Sequence, residues 1–150
     1  MFSFFWRTVS VYAPVDGDIR RLEEVSDEVF SSKMAGDGVA ILPTSGIFRS
    51  PINGVITGIF PTKHAFSVKG RGVEILVHIG IDTVELRGRG FKLLKSKGVT
   101  VRAGDVIVEV DLDYLKSTGK DIITPIIVTD KPIKNAKFGR VNSGDFIFKV

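Results

Sequence analysis

His64 and His78 are the only imidazoles in 150 residues, and each lies in a stretch with strand character. Residues 72–82 read Gly-Val-Glu-Ile-Leu-Val-His-Ile-Gly-Ile-Asp. Strand side chains alternate between faces, so Val73, Ile75, Val77 and Ile79 form one apolar side and Glu74, Leu76 and His78 point the other way. His78 is therefore expected to leave the core and meet solvent or a partner. Upstream, residues 60–66 read Phe-Pro-Thr-Lys-His-Ala-Phe, and the same alternation predicts Thr62 and His64 on one face. The two stretches together predict a polar, paired-histidine site.

A neutral imidazole has one protonated nitrogen and one nucleophilic nitrogen, and the hydrogen bond made by the first decides which is free. At an ordinary pKa of about 6.5 most of the ring is neutral near pH 7. A backbone carbonyl just past the strand, such as that of Gly80, could hold Nδ1–H and leave Nε2 free for transient phosphorylation. A phosphoryl group carries about −1.5 to −2 charges and needs donors around it, which His64 and the Thr62 hydroxyl can supply. Asp82 could tune the field or bind a partner's base, or serve only as a turn residue. A lone histidine is most often a satisfied surface or core residue. Two beside a threonine and an aspartate are better read as a site.

Composition narrows the class. With 43% apolar residues the chain can bury a real core, and its length predicts one domain over 1–150. Sixteen glycines and many Val, Ile and Phe, in runs cut by Gly, Pro, Asn and Asp, predict many short strands. There is no cysteine, which excludes disulfides, thiolate nucleophiles and thiolate metal sites. No apolar run reaches the roughly 18 to 20 residues that span a bilayer, and no signal-peptide pattern opens the chain. A soluble, cytoplasmic protein is expected. A net charge of +4 does not make a nucleic-acid binder, because the cations are scattered among acids and no basic helix or aromatic RNA motif occurs. Residues 1–7, Met-Phe-Ser-Phe-Phe-Trp-Arg, are expected to be a terminal segment, flexible or packed on the domain, or to make weak peripheral contact with a membrane surface. They are too short to anchor alone.

A short pattern occurs twice. Ala13-Pro14-Val15-Asp16-Gly17-Asp18-Ile19 returns as Ser50-Pro51-Ile52-Asn53-Gly54-Val55-Ile56. Asp-Gly and Asn-Gly tolerate positive φ, so each copy predicts strand, tight turn, strand. Residues 38–42 then parallel residues 72–76, and a Gly-Asp turn before an alternating strand occurs in both 101–108 and 141–148. The duplication predicts an all-β, antiparallel sandwich or flattened barrel with short surface helices. Those helices are expected at 26–30, 91–96 and 112–116.

Residues 62–66 and 72–86 resemble the signature of the glucose-type enzyme IIA family of the bacterial phosphoenolpyruvate:sugar phosphotransferase system. The similarity continues through 36–38, Gly90-Phe91, 101–111 and 124–127. The resemblance implies an antiparallel β-sandwich in which His78 accepts phosphate on Nε2 from the phosphocarrier HPr and passes it to a cysteine of a IIB domain. It implies that His64 is the supporting histidine, Thr62 the threonine linked to the pair, and Gly80 the carbonyl that sets the His78 tautomer. The family pattern also places Phe30, Val29 and Phe60 nearby; with Leu76, which alternation puts on the face of His78, they predict an apolar docking face, and Asp27, Glu28, Asp82 and Glu85 are expected to ring the site. No cofactor or metal is implied. Lys69-Gly70-Arg71, in the loop between the histidine strands, departs from the acids often found there in the family and would oppose steering by the acids or attract the doubly charged phosphohistidine of the donor. Without cysteine the chain cannot carry the IIB acceptor, so a free-standing IIA or one cut from a larger permease is expected, with Met1 and a strand running to Val150 favouring the first.

Two other classes are open. A regulatory module could dock on permeases or kinases without transfer. A zinc hydrolase of related fold would need about three protein ligands, and the His-x-His pair such peptidases use is missing here.

Overall fold

The computed structural model describes residues 8–150; the expectations for residues 1–7 lie outside them. In chain order the strands are β1 (Ser10–Tyr12), β2 (Gly17–Arg21), β3 (Asp37–Pro43), β4 (Ile47–Arg49), β5 (Gly54–Ile59), β6 (Ala65–Gly70) and β7 (Val73–His78). They continue with β8 (Phe91–Leu93), β9 (Thr100–Val101), β10 (Val106–Val110), β11 (Thr124–Val128), β12 (Gly139–Val141) and β13 (Phe146–Lys149). Helix among the described residues is limited to α1 (Glu28–Ser31), α2 (Leu112–Ser117) and two 3-10 turns, Leu22–Glu24 and Thr83–Leu86. None of these helices is long and apolar enough to cross a membrane.

Eight strands form one antiparallel sheet in the order β12-β2-β3-β11-β7-β6-β5-β9. A three-stranded sheet, β4-β10-β8, and a pair, β1-β13, supply the second layer of a sandwich. The large sheet ends on β12 and β9 and does not close on itself, so the flattened-barrel alternative gives way to the open sandwich.

The duplication is visible in the hydrogen bonds. The Asp16 carboxylate accepts from Ser143 N at 2.7 Å, and the Asn53 side-chain oxygen accepts from Ala103 N at 2.8 Å. Asp145 and Asp105 each close their own turn onto Asn142 N and Arg102 N, both at 2.8 Å. Crossing between the halves, Tyr12 N donates to Pro51 O and Arg49 N to Pro14 O. Each repeat therefore ties one Asx residue to one Gly-Asp turn.

Two details differ from expectation. Asp16, Gly17, Asn53 and Gly54 do not have positive φ. The glycines are instead required by close approach, since a Cβ on Gly17 would stand 2.3 Å from Leu42 O and one on Gly54 2.2 Å from Lys69 O. These contacts and the sheet order make β3 the counterpart of β6, not of residues 72–76. Central strands all carry similar apolar runs, which is why the sequence parallel misled.

Alternation in β7 is as predicted, with Val73, Ile75 and Val77 buried and Glu74, Leu76 and His78 partly exposed. A one-residue slip would turn three buried side chains outward at about 1.5–3 kcal/mol each, so the register is strongly specified. The outer face of the sheet carries a second, smaller core of Leu22, Val25, Phe30, Ala40, Ile81, Ile123 and Ile127. It is roofed by the excursion between β2 and β3, where the Asp27 carboxylate caps α1 by accepting from Val29 N at 2.9 Å. The expected helix over 91–96 is wrong. Phe91–Leu93 pairs with β10 as β8, because a buried Phe91 and an exposed Lys92 satisfy strand alternation as well as a helical spacing.

Candidate functional site

In the β6–β7 hairpin Ala65 pairs with His78, which places the last residue of β7 beside the first of β6. Thr62 and His64 lie just before β6, in a turn whose Lys63 has φ 64°. They share a side because of that turn, not because of strand alternation. Thr62 Oγ1 is 2.7 Å from His64 Nδ1. The His64 and His78 rings meet edge to face with centroids 4.9 Å apart and planes at 81°. Ile79 N donates to the His64 carbonyl at 2.7 Å, tying the two segments together through the backbone.

The tautomer of His78 follows from its partner. Nδ1 is 2.8 Å from Gly80 O, and a carbonyl only accepts, so Nδ1 carries the proton and Nε2 keeps its lone pair. Gly80 adopts φ 78°, and the next peptide N–H, of Ile81, donates to Asp121 O at 2.9 Å. The peptide between Gly80 and Ile81 is thus held at both ends.

Both rings are neutral at pH 7. His64 is 2% exposed, and this burial, with a further push from His78, lowers its pKa to about 4. Burial also lowers His78, opposed by the Gly80 carbonyl and by the Asp27 and Asp82 carboxylates. A resting, positively charged His64 is therefore not part of the site.

The walls are aromatic. Phe30, 7% exposed, packs on His78 at 5.0 Å, and Phe60 presents its edge to both rings at 5.2 and 6.3 Å. Phe60, against both rings, is 42% exposed, and Val29, next to Phe30 on α1, is 48% exposed, so both present apolar surface to solvent. Phe30 and Leu76 contribute less surface than the resemblance implied. Phe30 belongs to the second core, and Leu76 is half-buried against it. Val84, on the turn after Asp82, is exposed and was not foreseen.

The charges divide by position. Asp27 and Asp82 act on His78, whereas Glu85 is paired with Lys120. Lys69 pairs across from Glu74, and Arg71 lies in the turn at the far end of the hairpin. At about 3.4 Å per residue β7 from Val73 to His78 spans about 17 Å, and Arg71 lies in the turn beyond Val73, well past the screening length of about 8 Å at physiological salt. The expectation that this loop opposes the acids near the site is thereby corrected.

A cleft of about 410 Å³ lies away from the histidines, lined by residues such as Tyr12, Asn53 and Arg71. No group of three or more His, Asp or Glu side chains with metal-holding geometry occurs among the described residues. A free Nε2, a second imidazole and exposed apolar edges suit group transfer between macromolecules better than capture of a small molecule.

A family model described as "phosphoenolpyruvate-dependent sugar phosphotransferase system, EIIA 1" matches residues 9–133. The chain belongs to that family. It is also similar to a solved structure of glucose permease IIA from Mycoplasma capricolum, with 45% identity, a TM-score of 0.93 and coverage of 97% of both chains. Membership gives the protein a phosphocarrier role, as a phosphotransferase component in sugar transport, and HPr and IIB as partners in general.

Two contributors had gone unnoticed in the sequence. One is the Asp121 carbonyl, a backbone contact from a distant segment that has no sequence signature. The other is Thr83, fully buried, whose hydroxyl donates to Ile79 O at 2.6 Å. A hydroxyl four residues after Ile79, the first residue past the strand, was the available signal for it.

Proposed function

We propose that His78 accepts a phosphoryl group on Nε2 from the phosphohistidine of HPr and passes it to a cysteine thiolate of a IIB domain. The observation that carries this reading is the 2.8 Å bond from His78 Nδ1 to Gly80 O, which leaves Nε2 as the nucleophile. In the first step the Nε2 lone pair forms a bond to phosphorus. The donor's N–P bond breaks, and its electron pair stays on the donor ring. Nδ1 keeps its proton throughout, so phosphorylated His78 is an imidazolium whose charge offsets part of that on the phosphoryl group. In the second step the thiolate sulfur takes the phosphorus, and Nε2 recovers its pair.

His64 supports the group as a neutral donor. When the Thr62 hydroxyl donates to Nδ1, the ring proton sits on Nε2, free to bond a phosphoryl oxygen. Val29 and Phe60 meet the partners and exclude water, which limits hydrolysis of the phosphohistidine. Asp27 and Asp82 attract a basic donor surface, raising the association rate more than the affinity.

Incubation with phosphoenolpyruvate, enzyme I and HPr should add one phosphate, stable to base and labile to acid. His78→Gln should abolish it, and His64→Gln should accept phosphate but pass it on poorly. Full acceptance in the His78 variant would overturn the assignment.

A further inference from the structure

We propose that Thr83 is a positioning residue for phosphoryl acceptance: its buried hydroxyl fixes the bend after β7 and so holds the Gly80 carbonyl on His78 Nδ1. The proposal rests on the reading of His78 Nε2 as the nucleophile.

Three successive peptide units leave β7, and each is held by a different group. The first presents Ile79 N–H to His64 O at 2.7 Å. The second presents Ile79 C=O to the Thr83 hydroxyl at 2.6 Å. The third accepts from His78 Nδ1 at its oxygen, at 2.8 Å, and donates from Ile81 N to Asp121 O at 2.9 Å. Of the three, only the middle one depends on a side chain that can be changed without touching either histidine.

Steric contact adds to the hydrogen bond. Gly80 has φ 78°, and a Cβ built on it would stand 2.6 Å from Thr83 Cγ2. The Thr83 methyl therefore covers the face of Gly80 from which a side chain is absent. Thr83 is 0% exposed, so no water can replace its hydroxyl without a rearrangement. Without that donor the Ile79 carbonyl is buried and unpaired, and turning the bend toward solvent is its way to find a partner. Such a turn carries the Gly80 carbonyl off Nδ1. The ring proton is then free to move to Nε2, which blocks the nitrogen that attacks phosphorus.

Thr83→Val keeps the shape and removes the hydroxyl, while Thr83→Ser keeps the hydroxyl and removes the methyl. Long-range proton–nitrogen NMR of the full chain reads the His78 tautomer directly. Wild type and Thr83→Ser should both show Nδ1–H, and Thr83→Val should show a mixture with Nε2–H. Phosphoryl acceptance from phospho-HPr should fall about tenfold or more in Thr83→Val, in line with the sensitivity of reacting groups to small misplacement, and should recover in Thr83→Ser. A wild-type tautomer and rate in Thr83→Val would overturn the proposal, as would Thr83→Ser altering the tautomer as much as Thr83→Val. Should Thr83→Val fail to fold, Thr83→Ser is compared with wild type alone: Nδ1–H with a wild-type rate supports the proposal, and a shift toward Nε2–H in a variant that keeps the hydroxyl overturns it. Because the tautomer is measured without phosphate, a shifted tautomer alongside wild-type His78 that never takes phosphate would refute the transfer reading and leave the positioning role standing.

Discussion

The depressed pKa of His64 makes a definite prediction for stability against pH. The ring falls from 6.5 in the unfolded chain to about 4 in the fold, first through burial and then through His78. Between those values the unfolded chain binds a proton that the folded chain refuses, so stability is complete above pH 6.5 and is lost as pH falls toward 4. At 1.36 kcal/mol per pKa unit the full effect is about 3 kcal/mol, of which about 2 kcal/mol is lost between pH 7 and pH 5. His78 is lowered too and adds to the same slope, so the comparison must be made between wild type and His64→Gln. Urea unfolding at pH 7 and pH 5 measures it, and the stability of wild type relative to the variant should drop by about 2 kcal/mol between the two. A drop below about 0.5 kcal/mol would refute the reasoning, since this would mean that His64 titrates in the fold near its ordinary value.

The remaining predictions concern the bend and the field. Gly80→Ala should cost at least about 2 kcal/mol, because its Cβ meets Thr83 Cγ2 at 2.6 Å and Asp121 O at 3.0 Å with φ at 78°; thermal unfolding at the wild-type temperature would contradict this. Transfer from HPr should slow as salt rises, and Asp27→Asn with Asp82→Asn should remove part of that dependence. Lys69→Ser with Arg71→Ser should leave the rate unchanged, and a clear change in stopped-flow rates would show that the far end of the hairpin reaches the site.

Much of this protein was legible in order along the chain. Strand alternation predicted which face of β7 carries His78, because the period of two is a local property of extended backbone. The repeat of Asp16-Gly17 in Asn53-Gly54 and of Gly104-Asp105 in Gly144-Asp145 announced the duplication, and the side chains of Asp16, Asn53, Asp105 and Asp145 prove to accept from backbone N–H groups of the two Gly-Asp turns in two equivalent sets. The types and spacing of Thr62, His64, His78 and Gly80 were enough to expect a histidine held by a carbonyl.

Only the tertiary structure decided how these parts meet. The approach of Thr62 to His64 depends on a left-handed Lys63 in a turn, which a residue type that is rarely left-handed does not announce. Lys69 and Arg71 are nearer to His64 in sequence than His78 is, yet the hairpin sends them to its far end, since a strand converts sequence separation into distance at about 3.4 Å per residue. The neutrality of both rings and the clamp on Gly80 come from burial and from contacts with Thr83 and the distant Asp121 carbonyl. Local sequence carries the period of a strand and the chemistry of a side chain; the dielectric around a ring and the carbonyl that faces a given N–H are created only when remote segments pack.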